Sequence, residues 1–477
     1  MTKKRLTTEE KALSINLDQT IYGSFAEIGA GQEVAANFFS AGGSSGTIAY
    51  THSAYDMKIS DNMYGKTGRY VCEDRLKQML DKEYDNLLTT IPTRGETSRF
   101  FSFANTVESL NYHKSNQGQG WVGIKFQLEK GGESNEIIIH VKMHDNSHQA
   151  QQKALGILGV NLIHAAYTKY EKITDFLDDL SYRLPKDRME IDMVRVIGPD
   201  YGHVDNRLIA LLLVRSGLTD ATMFDQNANV IQPSSNLYRK NVLLMRGRFR
   251  PATKVHFDML SSGLEAFTKE KGVKKENVQV LFELTLKDLT ADGKISIKDF
   301  LDRAELLCSM GYTVMISNYL KYYKMVEYLS TFTKGAKLGV ILGVYNLQSI
   351  FDKKYYSNLG GGLLEAFGRG FGRNVKMYVY PAINAENGEL YDLNNFELPE
   401  HLRGLLDYML KTDKVESIKD YDPALLNIFS DDVLAKIKSG VRNWEDDVPD
   451  EVVKSIKFYN LFGYDSKRFA QPKKKAV

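Results

Sequence analysis

The sequence predicts an α/β protein in three parts. These are an N-terminal α+β domain over residues 1–238, a central doubly wound, Rossmann-like parallel sheet over 239–383, and a helical C-terminal region over 384–477. Three observations lead there. Between residues 241 and 380 short apolar runs alternate with segments of helical periodicity, five strands in all. Continuous apolar runs are the mark of strands buried on both faces, and parallel strands need helical crossovers to connect them. Between residues 100 and 143 the pattern differs: β-branched and aromatic segments are separated by Asn, Gly and Ser turns, as in an antiparallel meander. Beyond about residue 384 the periodicity is helical, over 399–412, 423–439 and 449–462.

Bulk properties narrow the function classes. A chain of 477 residues exceeds one ordinary hydrophobic core and calls for two or three domains. Hydrophobic content of 43% and charged content of 26% are those of a soluble globular protein. A net charge of +2 gives no general attraction to nucleic acid or anionic lipid, so neither specific nucleic-acid binding nor a membrane partner is expected. Cys72 and Cys308 make neither a disulfide framework nor a metal-ligand spacing, which suits a reducing compartment. The N-terminal stretch lacks the apolar core of a signal peptide, and no run reaches membrane-spanning length. The expectation is a cytoplasmic protein.

Along the chain, residues 1–90 read as mostly helical, with a clear amphipathic segment at 69–88. Two glycine-rich turns, Gly29-Ala30-Gly31 and 42–46, bracket a helical stretch at 33–39. A glycine turn cradles phosphate when a strand feeds it, and no strand pattern precedes this one, so it reads as helix punctuation. Helices follow at 149–166 and 170–184, strands at 189–197 and 208–214, and a small hairpin at 220–233. The parallel-sheet strands fall at 242–246, 278–286, 312–317, 337–344 and 374–380. The glycine-rich segment 359–372 reads as a helix whose small face packs closely.

Two groups of residues have the composition of metal ligands. His140, His144, Asp145 and His148 lie within nine residues at a strand end. Asp288, Asp292 and Asp299 lie in a segment with the spacing of a calcium-binding loop, although Thr290 and Asp299 stand where stronger ligands belong. Neither fits a standard site, and the expectation is that no metal is held by these residues. No nucleophilic serine elbow, catalytic cysteine setting or phosphate-loop lysine is present in the sequence.

The strongest candidate site is 241–260, NVLLMRGRFRPATKVHFDML: an apolar strand, a glycine turn and the start of a helix. Arg248, Arg250 and Lys254 crowd the turn and His256 lies one helical turn later. Free backbone N–H groups and a helix dipole at such a junction attract an anion. Residues 247–256, GRFRPATKVH, resemble the first signature of the nucleotidyltransferases that carry an HxGH or TxGH motif, the superfamily of the nicotinamide and nicotinate mononucleotide adenylyltransferases. Gly247, Phe249 and Pro251 match that signature, Thr253 takes the first motif position and His256 the last. The resemblance implies that Thr253 and His256 act on the reacting group. It further implies that Gly247, Arg248, Phe249, Arg250 and Lys254 hold phosphates, with ATP as substrate and Mg²⁺ as its companion. Val255 stands where the motif has glycine, and the family's second signature is missing after Tyr380. The whole chain also looks like a family of long bacterial proteins sharing segments such as FAEIGAGQEVA, residues 25–35.

The expected function is therefore nucleotide binding, with adenylyl transfer from ATP to a mononucleotide as its enzymatic form. The alternatives are a catalytically degenerate nucleotide sensor and a structural, homo-oligomeric protein.

Overall fold

The computed structural model describes residues 5–290, 296–372, 374–384 and 386–470. The chain divides into two compact α/β units, Met1–Thr222 and Met223–Val477. The helical region expected over 384–477 lies within the second of these and supplies a strand to its sheet.

The first unit runs α1 (Thr8–Asn16), β1 (Ile21–Gly29), α2 (Glu33–Ala41), β2 (Ile48–His52), α3 (Met57–Tyr64), α4 (Glu73–Thr90), β3 (Arg99–Glu108), β4 (Gly118–Phe126), β5 (Asn135–Met143), α5 (His148–Thr168), α6 (Ile173–Leu180), β6 (Met189–Ile197) and α7 (Asn206–Arg215). Its six strands form one sheet in the order β2-β1-β3-β4-β5-β6. β2, β1 and β3 run parallel. β3 to β5 form the antiparallel meander expected from the turn residues, and β6, reached through α5 and α6, pairs antiparallel with β5. Two expectations are corrected here. Gly29-Ala30-Gly31 does follow a strand: β1 is buried along nearly its whole length between parallel neighbours, so it lacks the alternation that marks a half-exposed strand. Residues 206–215 are helix rather than strand. The Asp205 side chain caps Arg207 N–H, and the apolar run that read as a strand is the buried side of α7.

Helices cover both faces of this sheet. On one side α5 crosses α2 so closely that a Cβ on Gly159 would lie 2.4 Å from Val34 Cγ2 and 3.0 Å from Phe103 Cζ. On the other, α4 lies over β4, where a Cβ on Gly123 would meet Leu76 and Leu80. Glycine at these points lets a helix backbone approach the layer beneath it.

The second unit contains β7 (Ala221–Phe224, which straddles the division), β8 (Val230–Ile231), α8 (Pro233–Asn236), β9 (Asn241–Arg246), α9 (Lys254–Thr268), β10 (Val278–Thr285), α10 (Leu286–Leu289), α11 (Ile297–Ser309), β11 (Thr313–Ser317), α12 (Tyr322–Thr333), β12 (Leu338–Gly343), α13 (Val344–Ile350), α14 (Gly362–Gly370), β13 (Val375–Tyr380), the short pair β14 (Ala382–Ile383) and β15 (Leu390–Tyr391), α15 (Glu400–Lys411), β16 (Val415–Ser417), α16 (Ser430–Ser439) and α17 (Asp450–Tyr459). Its large sheet has the order β16-β13-β12-β9-β10-β11-β7-β8. β9 pairs in parallel with β10 on one side and β12 on the other. The order then continues outward in parallel to β11 and, on the other side, to β13 and β16. Strand progress thus reverses at β9, as in a doubly wound Rossmann-like sheet, where ligands collect outside the carboxyl ends of the strands. The hairpin expected at 220–233 is the antiparallel pair β7–β8. The small face of α14 is also used: a Cβ on Gly370 would lie 2.6 Å from Tyr323 Cβ. Among the described residues, no helix is long and apolar enough to cross a membrane.

Gly159→Val should overpack the α2–α5 contact and lower stability by about 1–3 kcal/mol. Urea unfolding followed by circular dichroism measures this.

Candidate anion-binding cavity

The carboxyl ends of β9 and β10 are joined by a buried ion pair. Arg246, the last residue of β9, donates from Nε to Glu283 Oε2 at 2.5 Å and from Nη2 to Glu283 Oε1 at 3.1 Å. Glu283 also accepts the Ser317 hydroxyl from the end of β11. Arg246 Nη2 reaches the Tyr319 carbonyl at 2.7 Å, and the guanidinium lies 4.7 Å from the centre of the Tyr322 ring. Burial opposes the Arg246 charge, and the Glu283 carboxylate more than restores it, holding the guanidinium above its ordinary pKa. Nε and Nη2 are committed to these partners, and the residue forms part of the wall of a cavity of about 330 Å³.

That cavity collects residues that follow four strands. Gly247 and Arg248 follow β9, Lys287 and Asp288 follow β10, Lys321 and Tyr322 follow β11, and Asn346 and Ser349 follow β12. Thr285 accepts the Asp288 N–H at 3.0 Å and donates to Asp288 Oδ2 at 2.6 Å, which fixes that carboxylate at the start of α10. Lys321 Nζ bonds Asn358 Oδ1 at 2.5 Å. Arg248 Nη1 lies 3.2 Å from Asp431 Oδ2. Arg248, Lys287 and Lys321 outnumber Asp288 in the lining, where the Arg246 charge is already matched by Glu283, and this favours an anionic occupant.

The residues singled out in the sequence divide between cavity and core. Gly247 and Arg248 line the cavity. Phe249 is fully buried with φ of +46°, and its ring packs 4.9 Å from Phe282 and 5.3 Å from His256. Arg250 pairs with Asp299 at 2.5 Å, and Asp299 also accepts from Arg303. Arg303 in turn donates to the Arg248 carbonyl at 3.2 Å, so this network pins the backbone of the turn. Thr253 is fully buried and caps α9. His256 Nδ1 accepts the Thr253 N–H at 3.1 Å and its hydroxyl at 2.9 Å, which makes the two residues a capping box. Burial pushes the His256 pKa down to about 4, so the ring is neutral near pH 7. Lys254, Thr253 and His256 are not among the residues lining the cavity.

Arg246, Thr285, Lys287, Lys321 and Tyr322 did not stand out in the sequence. Their shared signal is position: each ends a strand or follows one within a few residues. Recognising Arg246 needed its partner Glu283, a neighbour across the sheet that is remote in sequence.

Among the described residues, neither metal-ligand group is gathered into a site. His140 Nδ1 pairs with Asp192 Oδ1 at 2.6 Å, His144 Nε2 faces Glu190 at 3.5 Å, Asp145 binds Arg188 at 2.9 Å, and His148 meets the Ser109 hydroxyl at 2.6 Å. His140 and His144 share a strand face, but the Lys142 ammonium lies between Asp192 (3.0 Å) and Glu190 (3.7 Å), where a cation would sit. Asp288 and Asp299 are engaged with Thr285 and with the two arginines, while Asp292 lies outside the described residues. Among the described residues the acids close enough to share an ion are Glu270, Asp413 and Glu416, and Lys376 Nζ sits 2.6 Å from each.

The glycine turn of the first unit is also filled from within. Glu27 of β1 accepts the Val34 and Ala35 N–H groups at 3.1 and 3.2 Å and the Asn105 amide at 3.2 Å. Burial raises this carboxyl to about 7. The chain's own carboxyl group thus takes the anion position at the start of α2.

No family model matches the chain, and no curated protein matches it in sequence. Among solved structures it is similar to the competence/damage inducible protein CihA from Agrobacterium tumefaciens, at 18% identity and a TM-score of 0.25 over 35% of this chain and 98% of that one. It is likewise similar to a competence or damage-inducible protein from Enterobacter asburiae, at 13% identity and a TM-score of 0.25 over 34% of this chain and 100% of that one. A CinA-superfamily protein from Enterobacter cloacae matches at 12% identity and a TM-score of 0.25 over 37% of this chain and 96% of that one.

His256 gives the second unit an acid limit. The ring has a pKa of about 4 when folded against 6.5 in the open chain, so only the unfolded state takes a proton between those values. The stability tied to the neutral ring is complete above pH 6.5 and is lost as pH falls towards about 4, by about 3 kcal/mol in all. His256→Gln keeps a capping side chain without the titration and should flatten this limb in urea unfolding at stepped pH.

Proposed function

We propose that the second unit binds a phosphate-bearing ligand of mononucleotide size in the cavity at the ends of β9, β10, β11 and β12. The observation that carries this reading is the convergence of Arg248, Lys287 and Lys321, beside the Glu283-paired Arg246, on one concave site at the carboxyl edge of a doubly wound sheet. A volume of about 330 Å³ stands at the lower end for small-molecule sites and suits a mononucleotide better than a dinucleotide. Tyr322 and Leu320 add apolar surface beside the cations, as a base or sugar needs.

Adenylyl transfer from ATP is the second reading, supported by the resemblance around Thr253 and His256. It requires both side chains to exchange their mutual hydrogen bonds for a ligand. Val255 in place of the motif glycine weighs on the side of binding without turnover. Mg²⁺ fits the ligand-bound site in a limited way: Asp288 is a carboxylate in the lining, and this ion is commonly held by one or two carboxylates together with substrate phosphates.

Calorimetry with ATP, AMP and inorganic pyrophosphate tests the reading. Lys287→Ala and Lys321→Ala should each weaken binding roughly tenfold or more, the size of a lost charged hydrogen bond. Absence of binding by every phosphate probe would overturn it. Pyrophosphate release over a panel of mononucleotides separates transfer from binding alone.

A further inference from the structure

The cavity cation Arg248 is already paired with an acid of this chain, and the pairing reaches far along the sequence. Asp431, in the first turn of α16, places Oδ2 3.2 Å from Arg248 Nη1, a separation of 183 residues. α16 does not hang free. It packs against the short turn Leu461–Gly463, which packs in turn against α11. Asp302 of α11 fastens that turn by accepting the Phe462 N–H at 2.7 Å. α11 also carries Arg303, which holds the Arg248 carbonyl. One helix therefore positions both the backbone of Arg248 and the helix that presents Asp431.

The two partners differ in what each has without the other. Asp431 lies in the positive end of the α16 dipole beside Asp432, a favourable place for a carboxylate whether or not an arginine is near. Arg248 has its backbone pinned and its guanidinium at the cavity wall, with the side chain about a third exposed. An exposed ion pair of this kind contributes little to stability and is readily exchanged. A phosphate in the cavity offers the guanidinium a doubly charged partner in a more enclosed setting, where the same contact is stronger.

We infer that Asp431 is a built-in competitor for the phosphate bound by Arg248, so that the C-terminal helix α16 lowers the ligand affinity of the cavity. The inference rests on the ligand reading above. When the phosphate enters, Arg248 leaves Asp431 for it and the aspartate stays at the α16 N-terminus. Whatever moves α16 away from the turn then tightens ligand binding.

The test is a double-mutant cycle on the full chain, with ATP and inorganic pyrophosphate as probes in calorimetry and a thermal melt on each variant. Asp431→Asn keeps the shape and the helix cap region and removes the competing charge. It should tighten binding roughly two- to fivefold, the range of an exposed ion pair. Arg248→Ala should weaken binding, and adding Asp431→Asn to it should bring no further gain. Unchanged or weaker binding by Asp431→Asn, or an equal gain in the Arg248→Ala background, overturns the competitor role while leaving the cavity reading intact. If the unaltered protein binds neither probe, both fall together.

Discussion

The buried pair of Arg246 and Glu283 is the constraint on which the second unit's candidate site depends. Taking two charges out of water is expensive, and the cost is offset when the geometry is bidentate and the remaining polar atoms are bonded. Here Glu283 receives two N–H groups and a hydroxyl, from β9 and β11. The pair ties β9 to β10, Ser317 ties β10 to β11, and the Tyr319 carbonyl draws the start of the next loop onto the same guanidinium. The three loops that form one side of the cavity are thereby fixed at their roots.

The two units meet the same local problem with opposite outcomes. Each has a strand that runs into a glycine-containing turn and then a helix. In the first unit the turn is tight: Gly29 takes φ of +79°, and a Cβ on Gly31 would fall 1.9 Å from Asn105 Oδ1. Glu27 then satisfies the helix N–H groups from inside the strand. In the second unit the helix start is satisfied locally by Thr253 and His256, and the cations lie to the side of it, around an open cavity. A helix N-terminus attracts anions, but a capping box or an internal carboxylate takes up part of the N–H groups it would offer.

The signature-like residues 247–256 illustrate how a short resemblance divides once packing is visible. Phe249 fills core beneath the turn, Arg250 is spent on Asp299, and Thr253 and His256 cap a helix. Each has a structural role of its own. Gly247 and Arg248 remain at the cavity, joined there by Lys287 of α10 and by Lys321, which no local pattern connects to them.

The sequence by itself determined the α/β class, the parallel strands from β9 to β13 and the β3–β5 meander, because continuous apolar runs and turn residues are local signals. Tertiary structure decided what local signals cannot carry. β1 was hidden by being buried on both faces and interrupted by small residues, and α7 by an apolar run that suits a buried helix as well as a strand. His140 and His144 have the composition of ligands, but Asp192 and Glu190 of β6 face them across the sheet, and Lys142 of β5 pairs with both acids. The cavity itself is made by the ends of four strands drawn from more than a hundred residues of chain. Its chemistry depends on which side chains the parallel order brings side by side, and strand order is set by long-range packing.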